Sequence, residues 1–182
     1  MTIYLIAGPP GIGKSTNARE LIPEGVPIVD QDLAAYQYKK RGFTDYQDIA
    51  SLTTHQKIRE CLFNKEDFAL ELNLGFPSHY AYLKSIANFD RSNQVNLLLF
   101  FTDDLHLCIN RAKARFLNGG HEVKTEVIEE MYVSTMPLFE ENKSLFQQVR
   151  LVDVSYTEII ELTRESSILP DWVIKNNLQI YL

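Results

Sequence analysis

A short apolar segment, residues 2–7, leads directly into a glycine- and proline-rich turn, and this junction constrains the fold more than any other feature of the sequence. The turn opens the segment Gly8–Thr16, which matches the pattern G-x-x-x-x-G-K-[ST] in full. The β-branched run before it predicts a buried strand, and residues 14–21 after it predict a helix that ends before Pro23. A phosphate-binding loop requires this order of strand, glycine turn and helix.

The residue types in this loop indicate which groups would hold the phosphates. Glycines let the backbone turn tightly, so that several N–H groups point at phosphate oxygens at the positive end of the following helix. We expect Lys14 to reach the β- and γ-phosphates of ATP, Ser15 to bind Mg²⁺ and Thr16 to contact the α-phosphate. The predicted nucleotide-binding residues are Gly8, Pro9, Pro10, Gly11, Ile12, Gly13, Lys14, Ser15 and Thr16.

Apolar runs alternate with helical patterns through the rest of the chain, which predicts an α/β sandwich around a mostly parallel sheet. Further strands are predicted at residues 26–30, 67–74, 95–101 and 149–154, with a helix as the competing interpretation of 67–74 and an edge strand at 178–182. Helices are predicted at residues 33–41, 54–64, 103–117 and 125–146, the last kinked or divided at Pro137. Ligands should bind where the strands end, after residues 7, 30, 72 and 101.

Length and charge exclude several classes of protein. The chain has 182 residues and a net charge of −6, which predicts one domain over residues 1–182 without the basic face of a general nucleic-acid-binding protein. The longest apolar run, Leu97–Phe101, is too short to span a membrane. Nothing marks export, and Cys61 and Cys108 belong to no metal or redox spacing. The expected location is therefore the cytoplasm, with no nucleic acid or membrane as partner.

Three carboxylates follow predicted strands, close to where the phosphates would bind. Either Asp30 or Asp32 can face the transferred phosphoryl group and accept the proton of an acceptor hydroxyl, and one of the two is expected to cap the next helix. We count Asp30 among the substrate-binding candidates. Glu71 lies in a mostly apolar segment, where a carboxylate is costly unless it has a partner or a ligand. We therefore interpret Glu71 as a site residue.

Two arginines precede a glycine pair in a pattern that is typical of a mobile lid. Arg111 and Arg115 are four residues apart and share one helix face, and Gly119-Gly120 supply a hinge within a lid near residues 111–124. Such a lid delivers guanidinium groups to developing phosphate charge, whereas a solvated basic face is the alternative. The aromatic group after residue 30 either packs in the core or forms a wall for a base or sugar; it comprises Tyr36, Tyr38, Phe43 and Tyr46.

These elements together resemble the zeta-toxin family of small P-loop kinases. The resemblance rests on the phosphate loop, Asp32-Leu33-Ala34, Glu71 and the element Arg111-x-x-x-Arg115-x-x-x-Gly119-Gly120-His121-x-Val123. It covers most of residues 1–155, including Asp153-x-Ser155, which is similar to a family motif after the last sheet strand. Bacterial predicted ATPases related to those toxins share the lid pattern.

The resemblance implies a nucleotide-kinase-like, three-layer α/β core and transfer of phosphate from ATP to a sugar hydroxyl of UDP-N-acetylglucosamine. By the same resemblance Asp32 would be the base, Glu71 would hold the acceptor, and Arg111 and Arg115 would stabilise phosphate charge. It also implies an antitoxin-like protein as a partner. The sequence departs from the family where Met131 precedes Tyr132, since an arginine is common there, and where Leu72 and Asn73 follow Glu71 instead of threonines.

Two other functions are compatible with the phosphate loop. An NTPase that drives a conformational change in a partner is disfavoured, because no acid follows the strand at 95–101 until Asp103. A nucleotide-sensing module without catalysis is made plausible by Met131. The sequence favours a small-molecule kinase, with Lys14, Asp32, Arg111 and Arg115 as its catalytic residues.

Overall fold

A computed structural model describes residues 1–155 and 159–182 and contains a six-stranded sheet in the order β2-β3-β1-β4-β5-β6. Strands β1 to β5 run parallel to their neighbours, and β6 runs antiparallel to β5. The strands, in chain order, are Thr2–Ala7, Ile28–Val29, Phe68–Leu72, Gln94–Phe101, Gln148–Asp153 and Ile160–Glu161.

Seven α-helices connect or flank these strands in the described residues. Helices α1 to α7, in chain order, are Lys14–Leu21, Gln31–Lys40, Tyr46–Asn64, Pro77–Ala87, Leu105–Leu117, Thr125–Asn142 and Asp171–Lys175. Short 3-10 helices follow at Lys143–Leu145 and Leu178–Tyr181. None of the helices in the described part of the chain is long and apolar enough to cross a membrane.

The sheet has a hydrophobic core on each face, which explains why its central strands are apolar almost throughout. On one face Leu5 and Leu97 pack in a cluster that takes in buried residues of α3, α4 and α6. On the other face Ile6 and Leu98 pack with buried residues of α1 and α5. The predicted three-layer α/β sandwich with a mostly parallel sheet is therefore confirmed.

Parallel pairing aligns the ends of β1, β3 and β4. Ala7 lies opposite both Leu72 of β3 and Leu99 of β4, so the chain segments that leave these strands emerge side by side. The phosphate loop after β1 thus lies next to the residues that follow Leu72. This register brings Lys14 and Ser15 to Glu71 and Asn73, which are more than fifty positions away in sequence.

Several local details of the structure differ from the sequence prediction. Helix α3 begins at Tyr46 instead of residue 54, and α4 was not predicted, although Pro77 in its first turn is a typical helix start. Helix α6 continues through Pro137 to Asn142. Proline cannot donate a hydrogen bond to the Val133 carbonyl oxygen, but Val133 is 69% exposed, so that oxygen can accept a hydrogen bond from water. Residues 178–181 form a 3-10 helix instead of the predicted edge strand, and β6 is the edge strand beside β5.

Candidate active site

The glycines of the phosphate loop lie where no side chain fits. Gly8 and Gly11 have φ angles of +141° and +79°. A Cβ on Gly8 would lie 2.3 Å from the Phe100 carbonyl oxygen, and one on Gly11 would lie 2.1 Å from that of Cys108. The loop is therefore pressed against β4 and α5 and held in one conformation at the start of α1.

A cavity of about 630 Å³ lies over this loop, and we call it the phosphate-loop cavity. Its lining comes from the loop, the end of β3, α5, the segment after α5, and α6; it includes Pro10, Gly11, Gly13, Lys14, Ser15, Thr16, Asp32, Glu71, Asn73, Arg111, Arg115, His121, Val123, Val127 and Met131. Of the predicted nucleotide-binding residues, Gly8, Pro9 and Ile12 do not line it, and Ile12 packs in the core.

The Lys14 side chain is folded back onto its own loop. Its Nζ donates hydrogen bonds to the carbonyl oxygens of Gly8 at 2.8 Å and Pro9 at 3.2 Å, and to Asn73 Oδ1 at 2.8 Å. Only 4% of the residue is exposed. Asn73 had no role in the sequence prediction, and its place one residue beyond the end of a strand is the signal that would have found it.

Glu71 lies against the predicted Mg²⁺ ligand. Both Glu71 carboxylate oxygens are 3.0 Å from Ser15 Oγ, and Oε1 is 3.9 Å from Lys14 Nζ. Carboxylate and hydroxyl oxygens are the donors that Mg²⁺ prefers, so the residues present fit this ion. The carboxylate lies on the phosphate side of the site, a position that the sequence did not reveal.

Burial and neighbouring charge perturb the acid–base behaviour of this pair. Burial raises the pKa of Glu71 from 4.5 to about 7, although the Lys14 ammonium opposes the shift, while the Asp30 carboxylate adds to it. Burial also lowers the pKa of Lys14, against the attraction of Glu71, Asp30 and Asp32. Perturbed groups of this kind concentrate at functional sites.

We expect the stability of the ligand-free protein to fall as pH rises from 5 to 8. The folded-state pKa of Glu71 lies above its unfolded value, so the folded protein binds more protons between pH 4.5 and 7. The free energy of unfolding should drop by up to about 3 kcal/mol across this window through this group alone. Urea denaturation at pH 5 and pH 8, in the presence of a chelator, measures the drop.

The matched variant is Glu71→Gln, which keeps an oxygen acceptor for Ser15 and cannot ionise. Its free energy of unfolding should change less with pH than that of the wild type. Glu60→Gln, an exposed position on α3, serves as the control and should keep the wild-type slope. If the free energy of unfolding changed equally with pH in the wild type and in Glu71→Gln, Glu71 would not be the source of the pH dependence.

Asp30 and Asp32 have separate roles at the start of α2. Asp30 Oδ1 accepts a hydrogen bond from the Leu33 backbone N–H at 2.9 Å, so Asp30 is the helix cap that the sequence expected of one of the two. Asp32 is exposed, lines the phosphate-loop cavity and has no hydrogen-bond or ion-pair partner among the described side chains.

Arg111 and Arg115 face the same cavity from α5. Arg111 Nη1 lies 3.4 Å from the Ile12 carbonyl oxygen of the phosphate loop, and Arg115 lines the cavity one turn further along. The Gly120 N–H donates to the Arg115 carbonyl oxygen at 3.0 Å and closes the end of the helix. Lys113, on the same helix, is exposed and lines none of the cavities described here.

Two further cavities adjoin the phosphate-loop cavity. The middle cavity, of about 380 Å³, is lined by Ser15, Asp30, Asp32, Leu33, Tyr36, Arg115, Asn118, Gly120 and His121. The outer cavity, of about 620 Å³, is enclosed by α2, the start of α3 and residues 116–122. Asp32 and His121 line all three cavities and therefore lie where they meet.

The aromatic group after β2 consists of one packed pair and two residues that line a cavity. Tyr38 and Phe43 pack edge to face, with ring centroids 5.6 Å apart. Tyr36 and Tyr46 line the outer cavity. Phe43 is 48% exposed and no residue of α2 is buried, so the pair of Tyr38 and Phe43 does not pack in the core. The wall for a base or sugar stays a prediction, with Tyr36 and Tyr46 as its candidates.

Met131 makes part of the phosphate-loop cavity apolar at the position where the zeta-toxin family commonly has an arginine. It lies beside Val127 in the lining, and a Cβ on Gly75 would approach the Met131 Cβ to 2.5 Å. The neighbouring Tyr132 stacks on Phe101 and donates a hydrogen bond to the Thr102 carbonyl oxygen at 2.7 Å. Helix α6 is thus held closely against the ends of β3 and β4.

Asp153 and Ser155 hold the chain at the end of β5. Asp153 Oδ1 accepts hydrogen bonds from Ser155 Oγ at 2.7 Å and from Trp172 Nε1 at 3.2 Å, and Ser155 Oγ lies 2.9 Å from Thr102 Oγ1. Trp172 is 2% exposed. This network joins α7 to the sheet beside the phosphate-loop cavity.

Comparison with known proteins gives matches to structures alone. No protein-family model and no curated protein sequence matches the chain. A candidate kinase from Chloroflexus aurantiacus J-10-fl matches 100% of this chain and 98% of its own, with 15% identity and a TM-score of 0.58. A chain of the PezAT chromosomal toxin–antitoxin system of Streptococcus pneumoniae matches 99% of this chain and 81% of its own, with 14% identity and a TM-score of 0.58.

A third structure, AvrRxo1-ORF1:-ORF2 with ATP, matches 88% of this chain with 11% identity and a TM-score of 0.62. The chain shares the fold of these structures. This confirms the resemblance to zeta-toxin-like kinases for the fold. The chain spans 57% of the AvrRxo1 chain and 50% of a matching chain in the Pnkp1/Rnl/Hen1 RNA repair complex.

Proposed function

We propose that the protein is an ATP-dependent phosphotransferase that moves the γ-phosphoryl group to a hydroxyl of a small acceptor. The observation that carries the proposal is the position of Asp32, an unpartnered carboxylate where the phosphate-loop cavity meets the two cavities beyond it. A donor bound at the loop and an acceptor in the adjoining space would both face this side chain. The proposed enzyme is a single domain that acts in the cytoplasm.

Each side chain has a distinct task in this reaction. Lys14, Arg111 and Arg115 would hold the phosphates and stabilise the charge that spreads over the transferred group. Ser15 and Glu71 would hold Mg²⁺, which neutralises phosphate charge when bound. Asp32 would accept the proton of the acceptor hydroxyl while the oxygen of that hydroxyl bonds to the γ-phosphorus. The bond between the γ-phosphorus and the β,γ-bridging oxygen would break and release ADP.

The identity of the acceptor and of a protein partner rests on the resemblance. Zeta-toxin-like kinases imply UDP-N-acetylglucosamine as acceptor and an antitoxin-like protein as partner. The PezAT structure is described as a toxin–antitoxin system, and the AvrRxo1 structure joins two products, ORF1 and ORF2. These descriptions support a search for a protein that covers the same cavities in this chain.

A mass-spectrometric screen tests the proposed function. The protein is incubated with Mg·ATP and a panel of UDP-sugars, nucleosides and simple sugars, with Lys14→Ala protein as the control. We expect one acceptor to gain the mass of one phosphate only with the wild-type protein. ATP binding with no product on any acceptor would favour a nucleotide-sensing module, the second candidate, which the apolar Met131 in the cavity wall supports.

The two lid arginines should matter far more than the lysine between them. We expect Arg111→Ala and Arg115→Ala each to lower kcat by about 10²-fold or more, because each removes a cation that faces the transferred phosphate. Lys113→Ala on the same helix should leave kcat unchanged, since Lys113 is exposed away from the cavities. Steady-state rates of the three variants provide the measurement, and equal effects of all three would indicate a general charge effect of α5.

A further inference from the structure

The charges that line the cavities change sign from the phosphate loop outward. The phosphate-loop cavity is lined by the cations Lys14, Arg111 and Arg115 and by the carboxylates Asp32 and Glu71. This balance suits a triphosphate. The outer cavity has Asp32, Asp48 and Glu122 in its lining, and among the described lining residues Lys39 is the only lysine or arginine.

The three outer carboxylates are not neutralised by the protein. None of Asp32, Asp48 and Glu122 forms an ion pair or a side-chain hydrogen bond with any residue that the structure describes. Lys39 Nζ instead lies over the Tyr46 ring, 5.8 Å from its centroid. The outer cavity therefore presents unpaired negative charge to whatever enters it.

Aromatic side chains form the walls between these charges. Tyr36 of α2 and Phe116 of α5 both line the outer cavity, and they are 39% and 45% exposed. Large aromatic surfaces that are left uncovered on the two sides of a cavity favour a ligand with a flat or apolar ring face. Tyr36 also lines the middle cavity, so the aromatic wall extends inward toward Asp32.

We propose that the acceptor is a ring-bearing hydroxyl compound that carries no phosphate, either uncharged or with an amino group. This inference rests on the proposed phosphotransfer and narrows its acceptor. Ring stacking on Tyr36 and Phe116 would hold the compound, an amino group would be attracted by Asp48 and Glu122, and a hydroxyl would extend to Asp32. A diphosphate in the same cavity would meet like charges, which disfavours the UDP-linked sugar that the resemblance implies.

Matched pairs of compounds test the inference by binding, independently of transfer. Calorimetry with the wild-type protein and Mg·ADP compares uridine with UDP, and glucosamine with glucosamine 1-phosphate. We expect the phosphate-free member of at least one pair to bind at least tenfold more tightly. Tighter binding of the phosphorylated members, or no binding by any of the four compounds, would overturn the inference.

A charge reversal shows whether the outer carboxylates set this preference. The double variant Asp48→Lys/Glu122→Lys should shift the affinity ratio of each pair at least tenfold toward the phosphorylated member. Glu60→Lys makes the same change of charge on α3 outside the cavity, and it should leave the ratio unchanged. An unchanged ratio in the double variant would overturn the electrostatic basis of the inference.

Transfer to the same compounds and to UDP-N-acetylglucosamine separates this inference from the proposed function. Phosphorylated uridine or glucosamine, with little product from their phosphorylated counterparts, supports both. Tight binding of a phosphate-free compound without any phosphorylated product supports the ligand class and overturns the phosphotransfer. Faster transfer to UDP-N-acetylglucosamine than to glucosamine supports the phosphotransfer and overturns the ligand class.

Discussion

Lys14→Ala should lower phosphate transfer by about 10³-fold or more while the protein stays folded. In the wild type the Lys14 ammonium is held by the carbonyl oxygens of Gly8 and Pro9 and by Asn73. It lines the phosphate-loop cavity, where we expect it to exchange these acceptors for phosphate oxygens. Removal of the amine leaves the loop without its one buried cation.

The fold should tolerate this change because burial of an ammonium is itself costly. Burial lowers the pKa of Lys14, which shows that its charged form is disfavoured by desolvation. Loss of three hydrogen bonds is therefore offset in part by the loss of a buried charge. Thermal denaturation and ATP-binding calorimetry accompany the rate measurement, with Lys113→Ala as the control.

Lys14→Met separates the charge of this side chain from its bulk. Methionine keeps an unbranched apolar stem in the cavity floor, so its effect on transfer should match that of alanine if the ammonium is what matters. A folded Lys14→Ala protein with full activity would contradict the phosphate-loop mechanism.

Local patterns in the sequence were enough to predict the loop and most of the sheet. Strand β1, the glycine turn and helix α1 are contiguous in sequence. Glycine is required at positions 8 and 11 because the loop backbone there lies too close to Phe100 and Cys108 for a side chain. Strand β4 was predictable because both of its faces are buried. These features are encoded within a few residues of one another.

The arrangement around Ser15 could not be predicted in the same way, because it depends on pairing between distant strands. The register that places Ala7 opposite Leu72 brings Glu71 and Asn73 to the loop, and no periodicity in either segment specifies that register. Glu71 was expected to hold the acceptor on grounds of resemblance, whereas its carboxylate contacts Ser15 on the phosphate side. Its role in acceptor binding stays a prediction.

The separate roles of Asp30 and Asp32 also required the structure. Both follow the same strand, and the sequence offered each as a helix cap or as a base. The Asp30 carboxylate caps α2 and is 8% exposed, whereas Asp32 points into the space that all three cavities share. A start of α2 two residues later would place Asp32 in the capping position that Asp30 holds.

Asp32→Asn should lower transfer by about 10²- to 10⁴-fold and leave ATP binding nearly unchanged. Asparagine has the same shape and can still accept a hydrogen bond from the acceptor hydroxyl, but its amide does not take up the proton. ATP affinity should persist, since the phosphates would be held by Lys14 and the lid arginines. Loss of a carboxylate that attracts the Lys14 ammonium should change this affinity only slightly.

Asp30→Asn is the matched variant, because asparagine also caps a helix and the start of α2 should be preserved. Its effect on transfer should be much smaller than that of Asp32→Asn, since the Asp30 Oδ1 is already occupied by the Leu33 N–H. Single-turnover rates with saturating Mg·ATP compare the two variants without interference from product release. If Asp30→Asn abolished transfer and Asp32→Asn did not, Asp30 would be the base, and the acceptor hydroxyl would lie deeper, against the Asp30 and Ser15 side of the middle cavity.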